Sequence, residues 1–264
     1  MTMITRRLTL LVALTSIVGA ASARPDIPWD GNYFGGNVGN AANSSCNSWS
    51  LTGAALDAAT AAEFTNQVCS TGGALVGGVQ FGRNVQHDRL VLGIAGDFDF
   101  WSSKDLSQSV NFKGATPPAG SYIFSNKRNP SGFIVIGPRI GYAGNIWLPY
   151  LKAGGVIAPG SHNSTLTYIP TGSTIATASF EGGKDFSTFG WAAGGGFELA
   201  LNGAWSITAE YLHVTLGKGS DSTSTCSGTA SACAAFSGIS FTNTHEGFSA
   251  NIIRLGVTYW FGYW

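Results

Sequence analysis

The amino-acid sequence predicts an all-β chain folded as an eight-stranded antiparallel transmembrane β-barrel with long external loops. Three observations lead there: strict apolar alternation in residues 251–264, seven earlier segments with the same rhythm, and a composition low in charge. In the last segment Ile253, Leu255, Val257, Tyr259 and Phe261 alternate with Ile252, Arg254, Gly256, Thr258 and Trp260. A period of two gives a strand two different environments, and an apolar face ending in aromatics suits lipid contact at a membrane interface. Such a strand must find an edge to pair with, and closing a barrel provides one.

Composition points the same way. Only 11% of the 264 residues are charged, against roughly a quarter in soluble domains. The 37 glycines are about twice the usual share. Net charge is zero, which removes the electrostatic basis for a nucleic-acid partner. Arg6 and Arg7 precede an apolar run over residues 8–20, and Ala21-Ser22-Ala23 offers small residues for cleavage. Residues 1–23 are therefore expected to be a cleaved signal peptide, leaving 24–264 as the barrel domain. The run is shorter than the roughly 20 apolar residues a spanning helix needs, and no later stretch reaches that length. A membrane-embedded mature chain would cross as strands.

Four cysteines in an exported chain suggest disulfides. Cys46 and Cys69 share one polar stretch, and Cys226 and Cys233 share another. Three pairings exist on paper; these two local ones close the shorter loops at lower entropic cost. The spacing lacks the C-x-x-C pattern and neighbouring histidines of a zinc site, so neither metal nor cofactor is expected.

The first strand is glycine-rich, 31–40, entered through Pro28-Trp29-Asp30. Glycine weakens most strands, but a tightly curved wall leaves room for nothing larger at some positions. A polar stretch at 41–72 follows, with a short helix expected near 54–64. The second strand, 73–82, sets Leu75, Val79 and Phe81 opposite Gly78, Gln80 and Gly82. After a turn at 83–89, the third runs over 90–101 with Asp97 and Asp99 facing away from Phe98 and Phe100. Pro117, Pro118 and Pro130 interrupt the next polar segment and exclude a central strand at those points. Segments 133–143 and 147–158 form the fourth and fifth strands, carrying Arg139 and Lys152 and joined at Gly144-Asn145.

The sixth and seventh strands, 188–201 and 205–216, follow a long loop at 159–187 and flank Asn202-Gly203, a strong hairpin signal. Another long loop, 217–248, leads to the eighth. Three short turns and four long loops thus alternate, as in outer-membrane barrels with short periplasmic turns. Strand character at 110–124 and 165–180 leaves a ten-stranded barrel open, although extension of hairpins above the membrane fits those segments better. A soluble lipocalin-like barrel would place its charges outside, whereas here they share the glycine-rich face.

The strands resemble the small outer-membrane β-barrel family that includes opacity proteins and the major surface antigens of alphaproteobacteria, a porin-family group. The resemblance rests on Trp29-Asp30-Gly31-Asn32-Tyr33-Phe34-Gly35-Gly36, Pro138-Arg139-Ile140-Gly141-Tyr142, Ala204-Trp205-Ser206-Ile207-Thr208-Ala209-Glu210-Tyr211 and Ile253-Arg254-Leu255-Gly256-Val257-Thr258-Tyr259-Trp260-Phe261. Ala95 stands where relatives often carry glutamate, and Gly262-Tyr263-Trp264 extends past the usual aromatic end. The resemblance implies a Gram-negative outer-membrane location and contact with outer-membrane lipids. It also implies insertion by the barrel-assembly machinery through a C-terminal signal at Val257, Tyr259, Phe261 and Trp264. It does not imply one activity: a structural or surface-interaction role of adhesin or antigen type comes first, with a host or surface ligand reached through the loops. A narrow porin for small solutes is the alternative, and an outer-membrane lipid hydrolase comes third.

Asp97, Asp99, Glu198 and Glu210 share the inward face with Arg139, Lys152 and Arg254. Charges in a confined lumen must pair to avoid the cost of isolation. An interior network is therefore expected, with Glu210 facing Arg254; it would either line a constriction or fill a barrel with no room for a channel. Among the histidines, His87 and His162 lie in a turn and a loop, and His245 beside Glu246 suits a loop surface. His213 and Thr215 share one face of a strand, but no third member of a hydrolytic set declares itself, and no enzymatic activity is expected. Trp49, Tyr122 and Tyr168 either contact a host surface or a sugar, or else pack loop against loop or sit in the interfacial belt.

Overall fold

The computed structural model describes residues 29–53, 66–101, 106–112, 119–130, 132–218, 222–224, 226–228 and 233–261. The expected signal peptide, the short helix near 54–64 and Gly262-Tyr263-Trp264 lie outside the described residues. Twelve strands follow one another: β1 (Gly31–Gly53), β2 (Asn66–His87), β3 (Leu90–Trp101), β4 (Leu106–Phe112), β5 (Gly120–Pro130), β6 (Phe133–Tyr142), β7 (Trp147–Pro170), β8 (Ala178–Ala200), β9 (Trp205–Leu216), β10 (Ser222–Ser224), β11 (Cys226–Gly228) and β12 (Ile239–Phe261).

Eight of them, β1, β2, β3, β6, β7, β8, β9 and β12, pair antiparallel in that order, and β12 returns to β1 to close the barrel. Closure leaves no backbone edge facing lipid, as a membrane requires. The seam is long, running from Asn32 opposite Phe261 to Gly53 opposite Ile239. The remaining strands lie beyond the barrel on the side of the long connections. The β4–β5 hairpin adds to the upper half of β7, from Pro130 opposite Gly160 to Gly120 opposite Pro170. Above the end of β9, the short β11 pairs with β8 and β10 pairs with β12. The ten-stranded alternative is thereby excluded.

Several strands run well past the expected limits. β1 continues to Gly53, β2 begins by Asn66, β7 reaches Pro170, and β12 already starts at Ile239. Outside lipid a ladder needs only backbone pairing, so Ser, Thr and Asn serve as well as apolar residues and the alternation disappears. These extensions form a crown beyond the barrel wall. Cys46 lies directly opposite Cys69 in the β1–β2 ladder, with Cα atoms 4.0 Å apart, and the two are disulfide-bonded. Cys226 and Cys233 form the second bridge.

The opposite rim carries three short turns. β2 runs to His87 and turns through Asp88 and Arg89 alone, Asp88 adopting φ 53°; aspartate tolerates that left-handed conformation better than most residues. The Asn202-Gly203 connection is wider than the expected two-residue hairpin. Asn202 Oδ1 instead accepts from the backbone N–H groups of Ala204 and Trp205, each at 2.9 Å, and this side-chain cap holds a four-residue loop. On the outer wall Ile253, Leu255 and Ile94 are among the large apolar side chains left exposed, which is the surface a lipid bilayer covers.

Candidate functional site in the barrel lumen

The inward faces build a charged layer at mid-height. Arg254 on β12 stands directly opposite Glu210 on β9, and its Nε donates to Glu210 Oε1 at 2.9 Å. Its two terminal nitrogens reach across the lumen to β3: Nη1 to Asp99 Oδ2 at 2.5 Å, and Nη2 to Asp97 Oδ1. Lys152 Nζ on β7 donates to Asp97 Oδ2 at 2.7 Å and lies 3.0 Å from Glu210 Oε2. Tyr150 donates its hydroxyl to the same Glu210 oxygen at 2.6 Å.

A second group adjoins it toward the turn rim. Arg139 Nη2 donates to Glu198 Oε2 at 2.6 Å, and its guanidinium carbon sits 3.7 Å from the Tyr150 ring centroid and 5.3 Å from that of Tyr33. The other Glu198 oxygen accepts from Ser206 Oγ and, at 3.1 Å, from Trp260 Nε1. All seven charged residues expected to face inward are buried. Three cations thus meet four carboxylates in space closed to solvent, where each unpaired charge would cost several kcal/mol. Sequence reasoning missed Tyr33, Tyr150, Ser206 and Trp260; the last three share an inward register with Lys152, Glu210 and Arg254, a signal available in the alternation, whereas β1 carries no charge to mark Tyr33.

The glycine face is what makes this crowding possible. A Cβ on Gly78 would come within 2.6 Å of Asp99 Oδ1, one on Gly39 within 2.6 Å of Arg254 Cβ, and one on Gly196 within 2.6 Å of the Tyr150 hydroxyl. Each glycine leaves the space that a long polar side chain from the neighbouring strand occupies. The residual cavity among Tyr33, Gln80, Asp97, Arg139, Lys152 and Glu210 is about 10 Å³, room for a single water at most.

Apolar layers close the lumen on both sides of the charges. Toward the turns Trp29, Tyr33, Val91, Ala143, Leu148 and Trp260 pack together. Trp29 precedes β1 and folds in, its backbone N–H bonded to Gln86 Oε1 at 2.6 Å. Toward the crown Val76, Phe133, Val135, Val156, Leu212, Val214, Phe248 and Ile252 fill the interior, with Trp101 against them. This apolar layer adds to the charged, glycine-rich face expected from the sequence. The inward face of β9 is polar only as far as Glu210 and continues as Leu212, Val214 and Leu216.

The crown has a core of its own. Trp49, Tyr122 and Tyr168 are buried in it with Phe124, Phe180, Phe236 and Phe241, and the Cys226–Cys233 bridge packs alongside. Burial pushes the Tyr122 phenol up, so it remains neutral. Of the uses considered for these aromatics, packing loop against loop is the one their burial shows.

The histidines are dispersed. His87 sits 3.4 Å from Asp88 in an exposed turn, and only the backbone of His162, His245 and Glu246 is described. Among the described residues, no three His, Cys, Asp or Glu side chains gather as metal ligands. On the outer wall, His213 Nε2 lies 3.1 Å from Thr215 Oγ1. Its Nδ1 lies 2.8 Å from Oδ1 of Asn251, which β12 places directly opposite. Asn251, His213 and Thr215 thus share one hydrogen-bonded patch on the outer wall.

A closed eight-stranded barrel with an apolar outer wall, a plugged lumen and extended strands on one side defines an integral outer-membrane protein. The chain belongs to the family described as outer membrane protein beta-barrel domain, which it matches over residues 9–261. It is 31% identical over 191 residues, covering 72% of each chain, to the 31 kDa outer-membrane immunogenic protein of Brucella melitensis biotype 1. The corresponding Brucella suis biovar 1 protein matches equally well. Among solved structures, Neisserial surface protein A overlaps 84% of this chain and 97% of its own, at 9% identity and a TM-score of 0.36. The protein resides in the outer membrane of a Gram-negative bacterium.

Proposed function

We propose that this protein is a closed, non-conducting barrel whose role is structural or surface-interacting, in the manner of an adhesin or antigen, with the crown as the presented surface. The observation that carries the reading is the lumen: an ion-paired layer with about 10 Å³ of free space, held between apolar layers on both sides. A porin needs a continuous hydrated path, and nothing of that kind suits so dry a filling. The crown supports the other half of the reading, because a disulfide-braced aromatic core holds surface residues in a fixed arrangement, which reduces the entropy lost on binding. The immunogenic naming of the Brucella relatives fits exposure at the cell surface.

Residues 1–23 serve in this reading as the export signal. Val257, Tyr259, Phe261 and Trp264 serve as the C-terminal signal for the barrel-assembly machinery, with Phe261 at the seam opposite Asn32. Planar-bilayer recording tests the closed state: no stable unitary steps are expected across ±100 mV, and ohmic openings would replace this reading with the small-solute pore. Binding of purified protein to host-cell and extracellular-matrix surfaces, compared with a crown-deleted variant, tests the surface role.

A further inference from the structure

The outer wall carries one polar constellation that neither the lumen nor the crown explains. Thr215, His213 and Tyr211 follow one another on the lipid-facing side of β9, near its crown end, with Asn251 beside them on β12. Asn251 Oδ1 accepts from the Tyr211 hydroxyl at 2.7 Å and faces His213 Nδ1 at 2.8 Å. An amide oxygen only accepts, so Nδ1 carries the proton and the Nε2 lone pair is left for the Thr215 hydroxyl, 3.1 Å away. A hydroxyl held against an imidazole whose far nitrogen is fixed by a third side chain is the general arrangement of an activated nucleophile.

We propose that Thr215, His213 and Asn251 form a hydrolytic site for the acyl esters of outer-leaflet lipids. Thr215 Oγ attacks the ester carbonyl carbon while its proton passes to His213 Nε2. The C–O bond to the lipid alcohol breaks, and that oxygen takes the proton from His213. Water then attacks the acyl-threonine, again giving a proton to His213, and a fatty acid leaves as Thr215 regains its hydrogen. Asn251 acts as a positioning residue that sets the imidazole tautomer. Trp191 on β8, its ring centred 5.6 Å from that of His213, packs beside the imidazole.

Two further observations identify the substrate as lipid. The patch lies on the wall that faces the bilayer, close to where β9 ends at Leu216 and the crown takes over. With the crown outward, as the proposed function has it, this end of the wall would stand near the outer-leaflet ester linkages. Below it, an apolar groove of about 660 Å³ runs between Phe197, Leu199, Ile207, Ala209, Leu255 and Val257. On β9 those positions begin at Ala209, six residues below Thr215 and roughly 20 Å along the strand, so the groove would receive the far end of a long acyl tail whose carbonyl sits at Thr215.

The test is fatty-acid release by the full-length protein in two kinds of vesicle, one of phosphatidylethanolamine with phosphatidylglycerol and one carrying lipopolysaccharide. Release is expected from at least one, and the arm that responds identifies the lipid. Thr215→Ala and His213→Ala should each lower the rate on the order of a hundredfold or more. Thr215→Ser should retain activity, and Asn251→Ala should lower kcat with little change in KM. Each variant should keep the heat-modifiable gel migration of the folded barrel. The proposal is overturned if neither vesicle loses fatty acid, or if folded Thr215→Ala releases it at the wild-type rate; either result leaves the closed-barrel reading to its conductance test.

Discussion

Arg254 and Asp99 are separated by 155 residues in the chain and joined by a 2.5 Å hydrogen bond across the lumen. The same guanidinium also meets Asp97 and Glu210, so one side chain ties the eighth barrel strand to both the third and the seventh.

Removing that guanidinium should be far more damaging than removing a surface charge. Arg254→Met leaves Asp97, Asp99 and Glu210 with Lys152 as their remaining close cation, and breaking a buried pair in this way costs about 3–5 kcal/mol. The expected outcome is a clear fall in the temperature at which the folded form converts to the slow-migrating unfolded form on gels. An unchanged transition would show that the charges are not coupled in the native barrel.

Opening the lumen requires clearing more than one layer. Arg254→Ser alone should not conduct, because Phe133, Phe248 and Trp101 still close the crown side and Trp29 and Trp260 the turn side. Conductance steps should emerge only when lumen charges and aromatics from both apolar layers are replaced together by small polar residues. Planar-bilayer recordings of the single and combined variants separate these cases.

The disulfides should matter to the crown and little to the barrel. In Cys46→Ser/Cys69→Ser, the chain between β1 and β2 is released from a closed loop whose entropic constraint is worth about 3 kcal/mol. Protease cutting within residues 54–65 should accelerate, while heat-modifiable migration of the membrane section stays intact. Loss of the folded barrel in this variant would place the bridge in the assembly pathway instead.

Crown packing offers an independent check. Phe236 contacts Tyr122, Tyr168 and Phe180 edge-on at 5.1–6.4 Å. Phe236→Ala should cost about 3–5 kcal/mol of local packing. Faster amide exchange is expected at Tyr168 and Phe180, with rates at Arg254 and Glu210 unchanged. Equal acceleration at both levels would mean that crown and barrel unfold as one unit.

How much of this was legible depended on where each residue meets lipid. The eight spanning strands could be read because a bilayer enforces apolar alternation, and Arg254 opposite Glu210 followed from inward register plus the cost of isolating a charge. The crown extensions could not: in water Ser44, Thr167 and Ser179 pair through their backbones, with no side-chain period to betray the strand. Leu212 and Val214 were equally hidden, since above Glu210 the apolar side chains of β9 move to the inward face while His213 and Thr215 take the outward one, reversing the contrast on which the assignment of faces depends. Asn251 was within reach: placing Glu210 opposite Arg254 fixes the antiparallel register that also sets Asn251 opposite His213, a pairing legible only when that register is carried to the outward face.

The long β1–β12 seam also ties register to charge balance. Without β12 the layer would hold Asp97, Asp99, Glu198 and Glu210 with only Lys152 and Arg139 among them, four negative groups around two positive ones. β12 brings Arg254 to Glu210 through its pairing with β9 and to Asp97 and Asp99 across the closed lumen. A β12 slipped by one residue would turn that guanidinium to the lipid-facing side, so the pairing that closes the wall is also the one that gives the buried carboxylates their third cation.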